Sequence, residues 1–118
     1  MSIYPQALTD LAAAVLEAAR KKNLRLATAE SCTGGLIMGC MTEIPGSSDV
    51  LDRGFITYSY DSKTDLLGVD RDLLEKSGAV SDEVALQMVN GALKASAADI
   101  AVAATGIAGV CAPRGSSR

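Results

Sequence analysis

The run Thr28-Ala29-Glu30-Ser31-Cys32-Thr33-Gly34-Gly35 sets a hydroxyl and a thiol just before two glycines. Leu24–Ala27, before it, reads as a buried strand, and Leu36–Met41, after it, reads as a buried helix. A nucleophile at such a turn lies beside backbone N–H groups at a helix start, which can hold a phosphate or stabilise an oxyanion. The chain has 118 residues and no histidine, so a Ser-His-Asp relay is excluded. A nucleophilic Ser31 must then draw its base from a lysine, a tyrosine or a carboxylate. Taken alone, Ser31 reads more readily as a helix N-cap than as a nucleophile, and Cys32, the other candidate nucleophile, more readily as a small apolar filler.

Two further segments carry chemistry-bearing side chains. Lys63 follows the β-branched and aromatic run Phe55-Ile56-Thr57-Tyr58 at a second strand-to-helix junction. In isolation it reads as a solvated helix lysine, and Tyr58 as a half-buried strand residue. Thr105-Gly106-Ile107-Ala108-Gly109 turns away from the end of a third apolar run, and by itself it is a turn that needs glycine.

The elements that must position these groups follow from periodicity and capping. Leu8, Leu11, Ala12, Val15, Leu16 and Ala19 recur at helical spacing, with Arg20-Lys21-Lys22 at the negative end and Asn23 as a C-terminal cap. Ile44–Ser48 reads as a loop, Phe55–Tyr58 as the second strand, and Lys63–Leu67 as a short helix ended by Gly68. Asp70 caps a helix over Arg71–Lys76, and Ser81 caps a longer one whose buried face is Val84, Ala85, Met88, Val89, Ala92 and Leu93. Ile100–Ala104 has no polar alternation, as expected of a strand covered on both faces. This order predicts one α/β layered domain: a mostly parallel (mixed) sheet with helices on both faces, and a site where strands end in glycine-rich turns.

Composition narrows the function classes. Hydrophobic residues make up 48% of the chain, with one Phe, three Tyr and no Trp, so the core is aliphatic, which suits helices packed on a parallel sheet. A net charge of −3 provides no footprint for nucleic acid. Cys32, Cys40 and Cys111 are odd in number and form no C-x-x-C pair, which points to reduced thiols and away from a zinc site. Pro5 and Asp10 interrupt any signal peptide, and no apolar run approaches the ~20 residues of a membrane span. The expectation is a cytoplasmic protein with no metal, no nucleic acid and no membrane partner.

Read together, Thr28–Gly35, Gly54–Ser59 leading to Lys63 and Leu67-Gly68-Val69, Gly78–Ser81 and Ala104–Gly109 occur in the order found in one family. The set resembles the CinA C-terminal domain family, whose active members are nicotinamide-nucleotide amidases. The resemblance runs from the first helix to Gly109. It implies hydrolysis of the carboxamide of nicotinamide mononucleotide to nicotinate mononucleotide and ammonia, without metal or organic cofactor. By that resemblance Ser31 matches the nucleophile, with Lys63 and Tyr58 at matching active-site positions. Glu30, Thr33, Gly34, Gly35, Thr105 and Gly106 are then expected to line the substrate cleft, with the Gly34 and Gly35 N–H groups near the oxyanion or 5′-phosphate. A Ser–Lys pair supplies both nucleophile and proton donor if burial keeps the lysine neutral.

Two departures stand out. The family usually has Asn where this chain has Tyr60. It also continues after TGIAG with a loop, a strand and a closing helix, whereas residues 110–118 resemble none of these. The expected division is therefore an incomplete amidase domain over 1–109 and a non-family tail over 110–118, with poor hydrolysis because water enters an open cleft. The alternative reading is a non-catalytic nucleotide-binding or assembly module. A homo-oligomer whose neighbours cover the open surface is also expected.

Overall fold

The computed structural model describes residues 2–107; Ala108, Gly109, Cys111 and the tail lie outside them. Helix α1 (Gln6–Lys21) leads into strand β1 (Leu26–Glu30), helix α2 (Leu36–Thr42), a short 3-10 turn at Ser47–Asp49 and strand β2 (Leu51–Ile56). Helices α3 (Tyr60–Leu67), α4 (Arg71–Ser77) and α5 (Asp82–Lys94) then precede strand β3 (Ile100–Ala104). The three strands lie in the order β2-β1-β3, and both pairings are parallel. The fold is α/β.

Alternation along β1 divides the two layers. Ala29 faces a core with Leu67, Val69, Leu74, Val84 and Met88 from α3, α4, α5 and their connections. Leu26 faces the opposite core, with Leu16 and Ala19 of α1, Val50, Leu51, and Met38 and Met41 of α2. Chain connections leave β1 on one side toward β2 and return on its other side as β3. The carboxyl end of β1 is therefore the switch point where a parallel sheet opens a crevice.

The register aligns the three strand ends. Glu30 is opposite Ile56 on one side and Ala104 on the other. The pairing is carried one residue further by Thr57 N–H donating to Glu30 O (2.8 Å) and Ser31 N–H donating to Ala104 O (2.9 Å). Ser31, Thr57 and Thr105 thus emerge together at one edge.

Several boundaries differ from those read in the sequence. The first strand covers Leu26–Glu30, not Leu24–Ala27, because the polar residues Thr28 and Glu30 are buried and belong to the ladder. The second strand covers Leu51–Ile56, not Phe55–Tyr58. Asp52 and Arg53 are accommodated at a sheet edge, where Asp52 accepts the Ala97 N–H and pairs with Arg53. Helix α3 begins at Tyr60, capped by Ser59, whose Oγ accepts the Ser62 N–H. Lys63 is therefore one turn inside a helix rather than at its start. The caps at Asp70 and Ser81 and the left-handed Gly68 stand where the sequence placed them.

Gly91 fixes the position of α3. A Cβ on Gly91 would stand 1.9 Å from the Leu67 carbonyl oxygen and 2.9 Å from Leu67 Cα. Only glycine lets the carboxyl end of α3 lie directly on α5, and the helix held this way carries Lys63.

Candidate active site

Lys63 and Ser31 meet at the carboxyl edge of the sheet. The Lys63 side chain is 0% exposed and Ser31 3%. Lys63 Nζ lies 2.8 Å from Ser31 Oγ, 2.8 Å from the Thr57 carbonyl oxygen and 3.0 Å from the Tyr58 carbonyl oxygen. Among the described residues no carboxylate forms an ion pair with this amine. Burial without a counter-charge pushes the Lys63 pKa below its ordinary 10.5, partly opposed by attraction to Cys32.

An ammonium at this position donates to all three oxygens. Once deprotonated, Nζ keeps two N–H bonds for the Thr57 and Tyr58 carbonyls and gains a lone pair that can take the Ser31 proton. The carbonyls have no proton of their own to give, so they can only orient the amine.

The sequence left open whether Ser31 caps α2. It does not: Gly35 holds the N-cap position with φ of 102° and no side-chain cap bond. The capping group is the buried Glu30 carboxylate. Its Oε1 accepts from the Thr33 hydroxyl (2.7 Å) and from the Gly35 and Ile37 N–H groups (both 3.0 Å), and its Oε2 accepts from the Met38 N–H (2.9 Å). Desolvation would raise its pKa, but the Met38, Thr33 and Ile37 hydrogen bonds outweigh that, and the net direction is downward. Glu30 stays ionised. Gly34 and Gly35, at φ of 59° and 102°, make the left-handed turn that brings these N–H groups back to Glu30.

The Gly34 N–H donates to Ser31 O and the Gly35 N–H to Glu30, so neither is open to an oxyanion or a phosphate. Thr33 is bound to Glu30. The Thr105 hydroxyl donates to Ala79 O (2.9 Å) and ties the end of β3 to the loop before α5. Gly106 abuts Cys32, whose Sγ would lie 3.2 Å from a Cβ there. The Tyr58 ring is 59% exposed, and the contact of Tyr58 with Lys63 is through its carbonyl rather than its phenol. Tyr60 opens α3 and packs its ring against the core beneath Arg71.

Thr57 was not singled out in the sequence. It is fully buried, holds the end of β1 through its N–H, and offers its carbonyl to Lys63. Its place in the β-branched and aromatic run Phe55–Tyr58, just ahead of the polar stretch Ser59–Lys63, is the available signal.

The model of the CinA C-terminal domain matches residues 8–117. The chain belongs to the CinA C-terminal domain family. It is 50% identical over 107 residues to a CinA-like protein of Chlorobium limicola, covering 91% of this chain and 25% of that protein. It is 51% identical over 89 residues to a CinA-like protein of Akkermansia muciniphila, covering 75% and 22%. The chain thus spans about a quarter of the length of these curated relatives. Among solved structures it superposes on the competence/damage inducible protein CihA from Agrobacterium tumefaciens with a TM-score of 0.92 at 50% identity. That match covers 97% of this chain and 70% of the other. A CinA superfamily protein from Escherichia coli superposes with a TM-score of 0.85 at 32% identity, covering 92% and 64%. Among the described residues no helix is long and apolar enough to cross a membrane.

Proposed function

We propose that this CinA domain hydrolyses the carboxamide of nicotinamide mononucleotide, with Ser31 as nucleophile and Lys63 as its base. The observation that carries the reading is the fully buried Lys63 amine 2.8 Å from the Ser31 hydroxyl, held by two carbonyls and, among the described residues, by no carboxylate. Family membership supports the substrate class.

In the first step neutral Lys63 takes the Ser31 proton as Oγ bonds to the carboxamide carbon, and the carbonyl oxygen becomes an oxyanion. Lys63, now an ammonium, returns its proton to the amide nitrogen; the C–N bond breaks and ammonia leaves. A water then attacks the Ser31 ester, again losing its proton to Lys63, which passes it to Ser31 Oγ as the ester opens. Nicotinate mononucleotide departs and the site is restored. Thr57 and Tyr58 contribute their carbonyls, and the exposed Tyr58 ring is left to meet the substrate. Thr105 and Gly106 form the wall of the cleft from the end of β3.

The reading is tested by ammonia release from nicotinamide mononucleotide with the unaltered chain, Ser31→Ala and Lys63→Arg. Both variants are expected to lose turnover, because guanidinium stays charged and cannot act as a base. Turnover retained by Ser31→Ala and lost by Cys32→Ala would move the nucleophile to the cysteine.

A further inference from the structure

We propose that Glu30 is a positioning residue for the Ser31 nucleophile: its carboxylate closes the start of α2 to anions and leaves the Cys32 and Thr33 N–H groups as the open donors beside Ser31. The inference rests on Ser31 being the nucleophile and extends that reading to the groups that receive the oxyanion.

Ser31 N–H donates to Ala104 O, Gly34 N–H to Ser31 O, and Leu36 N–H to Thr33 O at 3.0 Å. Those of Gly35, Ile37 and Met38 all go to Glu30. Among the described residues the Cys32 and Thr33 N–H groups alone in this stretch meet no acceptor. Cys32 and Thr33 are only partly buried, so these two N–H groups, each of which calls for a partner, are open to an acceptor arriving beside the nucleophile. The N–H of the residue after a nucleophile on a strand-to-helix turn is a recurrent oxyanion donor.

Glu30 is well suited to hold this arrangement. It is the last residue of β1, adjacent to Ser31, and it reaches across the whole turn to the first residues of α2. A cap drawn from position 35 would hold only the helix. A cap drawn from the strand clamps both ends of the turn that contains the nucleophile. The buried charge also repels any anionic part of the substrate from the α2 start, so the substrate carbonyl is directed to the two remaining donors.

The experiment uses the rate at which a fluorophosphonate labels Ser31, followed by intact mass. Ser31 Oγ bonds to phosphorus, fluoride leaves, and the serine proton passes to Lys63; the phosphoryl oxygen occupies the oxyanion position. Glu30→Gln keeps the size and loses one acceptor oxygen. It is expected to lower the plateau labelling rate by ~100-fold while the pH midpoint of labelling stays unchanged, since one oxyanion donor is worth about 10²–10³ in rate. Thr33→Val removes one of the four Glu30 contacts without disturbing the backbone, and a drop of about 3- to 10-fold is expected. Labelling by either folded variant as fast as the unaltered chain overturns the proposal. So does a loss that comes with a shifted pH midpoint, because Glu30 would then act by disturbing the Ser31–Lys63 pair. A chain that labels at Ser31 but releases no ammonia refutes the amidase reading while leaving this comparison intact.

Discussion

Replacing Gly91 by alanine separates helix propensity from packing. In an open helix Gly→Ala stabilises by about 1 kcal/mol, so propensity alone expects a gain in α5. The structure reverses the sign. The new Cβ would lie 1.9 Å from the Leu67 carbonyl oxygen and 2.7 Å from its carbon. Both are backbone atoms of α3, so no side chain can swing aside. The two helices must part by roughly 1 Å or more to reach ordinary contact, and overpacking of this kind costs about 1–3 kcal/mol or beyond. The net expectation is a loss of ~2 kcal/mol, or a melting temperature lower by roughly 8 °C for a domain of this size. Lys63 lies one turn before Leu67 on the same helix. A displacement near 1 Å takes its amine beyond hydrogen-bond reach of Ser31, and activity should fall by about 10²-fold. Gly39→Ala is the control. Its Cβ would meet the Tyr4 hydroxyl at 2.5 Å, the free end of a side chain that can turn away, so the melting temperature should hold or rise. Circular dichroism melts and ammonia release on both variants decide the matter. A Gly91→Ala chain that melts higher than the unaltered one would refute the close approach of α3 and α5.

Other outcomes follow from the charges at the site. Between the lowered folded pKa of Lys63 and its ordinary 10.5, the unfolded chain binds a proton that the folded chain does not. Stability should therefore rise with pH across that window, and Lys63→Met should flatten the slope in urea titrations at several pH values. The attraction of Cys32 holds the Lys63 pKa up, so Cys32→Ala should keep turnover and move the rising limb of the pH–rate profile to lower pH. Glu30→Ala strips the acceptor from three backbone N–H groups at once. A loss of about 3–5 kcal/mol is expected in chemical denaturation, since each orphaned buried donor costs about 1–3 kcal/mol before water partly compensates.

The cap residues Ser59, Asp70 and Ser81 show how much of the architecture can be read from neighbours in sequence. A side chain that bonds an N–H two or three residues on is a local event, and Asp70 and Ser81 were legible for that reason. Ser59 is the same kind of local cap, but the polar run Tyr60–Ser62 conceals a first turn, so the sequence alone puts the helix start at Lys63. Glu30 shows the opposite case. The backbone donors that make its burial tolerable lie five to eight residues away and become visible only when the turn folds back. The Ser31–Lys63 encounter was anticipated by resemblance, not by spacing. Its geometry depends on the carbonyls of Thr57 and Tyr58, and a carbonyl carries no residue-type signal. For the same reason nothing in the sequence shows that Tyr58 meets Lys63 through its backbone carbonyl. The close approach at Gly91 was invisible for a related reason: a missing side chain says nothing of what fills its place.

Whether a buried neutral Lys63 activates Ser31 for amide hydrolysis is read most directly from ammonia release from nicotinamide mononucleotide as a function of pH, by the unaltered chain and by Ser31→Ala in parallel. The expected result is release above the Ser31→Ala background that rises with pH along a single limb, with its midpoint below the ordinary lysine value of 10.5. Release indistinguishable from that of Ser31→Ala at every pH would contradict the account.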